Sequence, residues 1–152
     1  MYELNDDVLE YLRGGIAVQV ATATPTGRPQ ATNAWGPRWN GDGTITLFLD
    51  TAAAGQTLAN LAVNGKIAVI TADPVSYRSI QFKGKWLSSS QPTDDEREWV
   101  KRHRELFTTA MALVGDDPEA IRNRWLDEVT RVDFEVEAAF DQTPGPNAGQ
   151  PL

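Results

Sequence analysis

Residues Gly27 to Trp86 read GRPQATNAWGPRWNGDGTITLFLDTAAAGQTLANLAVNGKIAVITADPVSYRSIQFKGKW. Arg28 to Arg38 is extended in pattern and is broken only at Gly36-Pro37. Asn40-Gly41-Asp42-Gly43 then supplies residues that tolerate positive φ, which signals a hairpin. Beyond it Ile45, Leu47 and Leu49 alternate with Thr44, Thr46 and Phe48, the period of a strand. Gln56 to Asn64 changes to helical spacing through Leu58, Leu61 and Ala62, and Asn64-Gly65 ends the helix. Lys66 to Ala72 is a fourth strand, turned by Asp73-Pro74 into a fifth from Ser79 to Leu87. There Ile80, Phe82, Gly84 and Trp86 share one face, while Ser79, Gln81, Lys83 and Lys85 share the other.

The flanks read as closure of this unit. Asn5 and Asp6 can cap a short helix, Asp6 to Arg13, which Gly14-Gly15 stops. Ile16 to Thr24 is a first strand, and the turn at Gly27 returns it into the second, so the sheet opens as a three-stranded meander. Thr93 and Glu96 make a capping box for a long helix carrying Trp99, Val100, Leu106, Phe107, Ala110, Met111, Leu113 and Val114 as its apolar stripe. Asp117-Pro118 starts another short helix. Val132, Phe134, Val136, Ala138 and Phe140 alternate with charged residues as a sixth strand, and the tail from about 141 to 152 is expected to be extended or loose. Six mostly antiparallel strands with few helices make a closed or split β-barrel, and the 152 residues suit one domain.

Composition narrows the chemistry. A hydrophobic content of 41% with five tryptophans belongs to a folded globule. The net charge of −7 disfavours nucleic acid and anionic membrane as partners. The absence of cysteine removes disulfides, thiolate metal sites and cysteine nucleophiles, and one histidine, His103, leaves little for a triad or a metal centre. No signal segment or long apolar run is present, so a cytoplasmic location is expected. Dinucleotide and phosphate-loop fingerprints are missing. His103 is expected to be solvated or partly packed, and Asp94, Asp95 and Glu96 to complement a helix dipole. Trp99 and Trp125 are core or interface residues.

One junction can do more. Asp50-Thr51, the loop AAAG and Gln56-Thr57 bring hydroxyl, amide and N–H donors to a helix start, which makes either an ordinary cap or a phosphate cradle. Arg28, Arg38, Arg78, Lys83 and Lys85 are available to add positive charge.

TGRPQATNAW, LFLDT, QTLANL, NGKIAVI, RSIQFKGKW and FDQTPGPNAG, in this order, resemble the pyridoxamine 5′-phosphate oxidase-like FMN-binding split-barrel family over nearly the whole chain. The resemblance implies a homodimer with two flavin sites at its interface. It implies that Thr32, Asn33, Ala34 and Trp35 face the flavin ring, with Trp35 stacking on it or serving as barrel-mouth core. Asp50 and Thr51 would sit by the ribityl chain or phosphate, Gln56 and Thr57 by the phosphate, and Ser79, Gln81 and Lys83 would contribute from the fifth strand. Gln56 and Thr57 are neutral where many members carry arginine or lysine. The tryptophan-and-arginine ending of authentic pyridoxamine phosphate oxidases is absent, so vitamin B6 oxidation is not assigned. The implied function is an FMN-dependent oxidoreductase of a small molecule. The alternatives are a reductase using the deazaflavin F420 and a non-catalytic dimer binding flavin or haem.

Overall fold

The computed structural model describes all 152 residues. Asn5 accepts from the Val8 N–H at 2.9 Å and starts α1 (Asp6–Leu12). Strands β1 (Ala17–Ala23), β2 (Pro29–Trp39) and β3 (Thr44–Asp50) form the antiparallel meander expected from the turns. A single 3₁₀ turn, Thr51–Ala53, leads into α2 (Gly55–Asn64), and Gly65 ends it at φ 65. Next come β4 (Lys66–Ala72), β5 (Ser79–Ser90), α3 (Asp94–Leu113), α4 (Pro118–Arg122) and β6 (Val129–Asp141). The tail is not loose: Gln150–Pro151 forms a short β7 on β6, and the Tyr2 hydroxyl donates to the Leu152 carbonyl at 2.8 Å.

The strand order is β3-β2-β1-β4-β5-β6-β7, and β3 pairs with β6 from Thr44–Glu135 to Asp50–Val129. That last ladder closes six antiparallel strands into a barrel. Val18, Val20, Ile45, Leu47, Leu49, Ile67, Val69, Ile80, Phe82, Val132 and Phe134 fill its interior. α2 caps one end, where Asn60 donates to Thr22 and Asn64 to the Ala23 carbonyl. α1 packs at the other, where the Tyr11 hydroxyl donates to Thr71. Burial there pushes the Tyr11 phenol up to about 12.

β3 is buried on both faces because α3 lies across its outer side, over Phe48. The buried side of α3 corrects the expected apolar stripe. It is Glu96, Val100, His103, Arg104 and Thr108, while Leu106, Leu113 and Val114 are exposed. Polar groups dock this helix because β2 offers them polar partners. The register of β2 on β3 shifts between Trp35 and Arg38, and Gly36 there adopts φ 57. The bulge turns both peptide groups of Gly36 out of the ladder. Its N–H donates to His103 Nδ1 at 2.9 Å, and its carbonyl accepts from Trp99 Nε1 at 2.9 Å. His103 Nε2 therefore carries the proton and donates to the Ile16 carbonyl at 2.9 Å. His103 is thus not solvated; it is 5% exposed and ties β1, β2 and α3 together.

Two predictions follow from this packing. A Cβ added at Gly84 would lie 1.8 Å from the Glu135 carbonyl oxygen, a backbone atom that cannot yield without breaking the β5–β6 ladder. Gly84→Ala is expected to lower stability by about 3 kcal/mol, read as a drop in the urea midpoint. Burial, helped by the neighbouring Arg104 charge, pushes His103 down to about 4 from 6.5. The unfolded chain then binds more protons between these values, so the contribution of His103 is complete above 6.5 and is lost as pH falls toward 4. The loss amounts to roughly 3 kcal/mol, and denaturant titrations across this window should show a flatter slope for His103→Gln.

Candidate functional site

Closure of the barrel assigns each strand residue to the inside or the outside. Thr32 and Ala34 point inward and are buried. The Thr32 hydroxyl is hydrogen-bonded to that of Thr57, which is fully buried on the inner side of α2. Trp35 points outward but lies beneath α3, edge-on to His103 and Phe107 at 6.0 and 5.8 Å. Its indole donates to Asp50 Oδ1 at 3.0 Å, and Arg104 Nη2 donates to the same oxygen at 3.0 Å. Burial pushes the Asp50 carboxyl up, opposed by the Trp35 and Arg104 donors, and pushes the Arg104 guanidinium down. This pair fastens α3 to the end of β3, so Trp35 is packed between helix and sheet instead of presenting a free ring face.

The outer side of β2, β1, β4, β5 and β6 is different. Register places Asn33, Gln19, Ile70, Gln81 and Phe140 in one cross-strand row. The adjoining row is Ala31, Ala21, Ala68, Lys83 and Ala138, and Ala17, Ala72 and Ser79 start a third. None of these residues is buried. The result is a broad sheet face floored by alanine methyls and edged by amides, a hydroxyl and one ammonium. Gln19 donates to Asn33 at 3.3 Å, and Gln142 donates to Gln81 at 3.3 Å. The Lys83 ammonium lies 5.3 Å from the Phe140 ring centre.

The start of α2 adjoins this face through β2. Ala54, the capping residue, offers no side-chain bond, and the N–H groups of Gly55, Gln56 and Thr57 donate to nothing in the protein. A Cβ at Gly55 would meet no atom within 4 Å, so the space before these donors is open. The Gln56 side chain donates to Asn60 at 2.8 Å, and the Thr51 hydroxyl pairs with Thr130 at 2.9 Å. This junction can hold an anion through backbone donors and the helix dipole, with no cationic side chain in the cradle itself.

Of the residues expected at a ligand, the structure gathers Asn33, Ser79, Gln81 and Lys83 on the open face, and Gln56 at the open helix start. It separates them from Thr32, Ala34 and Thr57 inside the barrel, and from Trp35 and Asp50 under α3. Sequence reasoning missed Gln19, Ala21, Ala31, Ala68 and Ile70. The signal was available in β1, where Val18, Val20 and Thr22 alternate with Gln19 and Ala21.

No helix of the protein is long and apolar enough to cross a membrane. None of the curated proteins matches this sequence. Among solved structures, HupZ of Group A Streptococcus is similar, with a TM-score of 0.57 at 20% identity over 96% of this chain and 100% of that one. An F420 reductase gives 0.56 at 17% identity over 91% and 99%. An FMN-binding protein from Syntrophomonas wolfei gives 0.51 at 18% identity over 89% and 86%. At these identities the likeness shows a shared split-barrel fold. The family model for pyridoxamine 5′-phosphate oxidase matches residues 4–138, and the chain belongs to that family.

Proposed function

We propose that this protein is an FMN-dependent oxidoreductase acting on a small molecule, working as a homodimer that encloses its cofactor against the open sheet face. The observation that carries the reading is that face itself: alanine rows edged by Asn33, Gln19, Gln81, Ser79 and Lys83, beside a helix start with three free N–H donors. A sheet face of Cβ-sized side chains admits a flat ring or a second backbone at close range, and a two-fold dimer is the ordinary way to cover it. The residues present fit FMN. Gly55, Gln56 and Thr57 N–H groups would hold its phosphate, and the Asn33 and Gln81 amides would orient the polar edge of the ring. When bound, the flavin ring supplies the electron-transfer chemistry. The chain contributes position, donors toward the ring edge, the Lys83 charge and exclusion of water by the partner copy.

A second observation favours F420 as an alternative cofactor. A groove of about 570 Å³ runs from Ala21–Ala23 past Lys66 to Lys83 and Lys85. A deazaflavin with an acidic tail would find its positive charge there, away from the neutral start of α2.

The test is the visible spectrum of the purified protein after incubation with FMN and desalting, with light-scattering mass taken on the same sample. Retained flavin on a two-chain species that NAD(P)H can reduce is the expected result. Ala68→Arg should give one-chain mass and lose the flavin band without unfolding, since position 68 faces solvent in the single chain. A folded one-chain wild type without flavin would overturn the reading. Retained flavin that no nicotinamide donor reduces would leave a binder and not an enzyme.

A further inference from the structure

Arg104 lies on the buried side of α3 between two indoles, its guanidinium carbon 4.8 Å from the Trp35 ring centre and 5.8 Å from that of Trp125. It is 5% exposed. One of its nitrogens is used by Asp50, but its Nε–H has no acceptor, and neither has the buried Trp125 Nε1–H. Both side chains line a groove of about 680 Å³ between α3 and the segment Trp125–Val129, on the outer side of the barrel and sharing no residue with the open alanine face. Buried donors without acceptors are uncommon in folded proteins, and two in one groove mark a place where an acceptor oxygen belongs.

The electrostatics of the groove select the kind of acceptor. Arg104 is already neutralised by Asp50, so an added carboxylate or phosphate would be an uncompensated buried charge. The rim is acidic on balance: Asp94, Asp95 and Asp127 form no ion pair and face one cation without an acidic partner, Arg97, while Lys101 is paired with Glu98 and Glu105 with Arg122. A neutral carbonyl oxygen satisfies both N–H groups without adding charge. The guanidinium of Arg104 and the indole of Trp125 are both planar groups lining the groove, which suits a planar ligand. Trp125 is partly buried and stands on the turn between α4 and β6, where it borders the groove.

We propose that this groove binds a neutral, planar carboxamide, whose carbonyl oxygen accepts from Trp125 Nε1 and Arg104 Nε. The site is independent of the cofactor reading for the open face.

The experiment is a titration of the full-length chain with benzamide, followed by the indole N–H resonances of its five tryptophans, with Trp125→Phe identifying the signal of residue 125. The Trp125 resonance should shift and saturate, and the other four should move little. Benzoate, the same ring with a carboxylate, should bind at least about tenfold more weakly because its charge is uncompensated. Trp125→Phe, which keeps the ring and removes the donor, should weaken benzamide by about tenfold. A Trp125 signal unmoved by benzamide would mean that a buried water alone satisfies these donors, and would overturn the proposal. Benzoate binding as tightly as benzamide would also overturn it, and that comparison needs only the wild-type chain.

Discussion

The ladder between β3 and β6 is the constraint on which the rest depends. Until it forms, the chain is a twisted sheet with two accessible faces. Once Thr44 to Asp50 pair with Val129 to Glu135, one face becomes an interior and must be filled. Val20, Leu47, Phe82, Val132 and Phe134 fill it with no exposed surface, each contributing about 1.5–3 kcal/mol of burial. Strand residues have a period of two, so closure also settles which neighbours can never share a ligand. Thr32 and Asn33 are adjacent in sequence, yet one meets Thr57 in the interior and the other meets Gln19 in solvent.

A second constraint follows from the bulge at Gly36. A closed barrel has no unpaired edge along most of its length, but the bulge leaves the N–H and the carbonyl of Gly36 without ladder partners. His103 and Trp99 supply the missing acceptor and donor, and Arg104 adds the ion pair to Asp50 at the end of β3. Docking by directed polar bonds fixes the rotation of α3 about its own axis more narrowly than an apolar stripe would. It also explains why the helix leaves Leu106, Leu113 and Val114 in solvent. The leucines and valine lie on a face that the barrel does not reach.

These two features mark the limit of what the sequence discloses. Strand positions, the hairpin at Asn40–Gly43, the capping box at Thr93 and the barrel itself are local or additive signals, and they are legible. The orientation of α3 is not, because its apolar residues and its polar residues point to different rotations, and the choice depends on a bulge in β2. The tail illustrates the same limit: TPGPNAGQPL carries no strand pattern, and β7 exists because the end of β6 offers Phe140 and Asp141 as partners. Within the candidate site, the shared face of Ser79, Gln81 and Lys83 follows from alternation, while Asn33 is expected only through the family resemblance. The shared outer face of Gln19 and Ala21 is legible in the alternation of β1, but their company with Ala31, Ala68 and Ile70 follows only from the registers of β1 against β2 and β4, which no single segment encodes.

The distribution of charge around the open face bears on what it can hold. At the start of α2 the favourable field comes from N–H groups and a dipole, equivalent to roughly half an elementary charge. Thr57, the side chain nearest in sequence that could have added a hydroxyl, is turned inward and satisfied by Thr32. The ammonium groups lie elsewhere, with Lys83 on the face itself and Lys66 and Lys85 along the groove beside it. Lys66 and Lys85 stand directly opposite each other across the β4–β5 ladder, a like-charge pairing that costs stability on a sheet surface. Glu137 relieves it in part by pairing with Lys85 at 2.9 Å, while Lys66 keeps no acidic partner. In a chain with a net charge of −7, a lysine cluster at this spot attracts anions against the overall field. An anionic group along the groove therefore meets full ammonium charges, whereas one at the helix start meets only backbone N–H groups and a partial dipole charge.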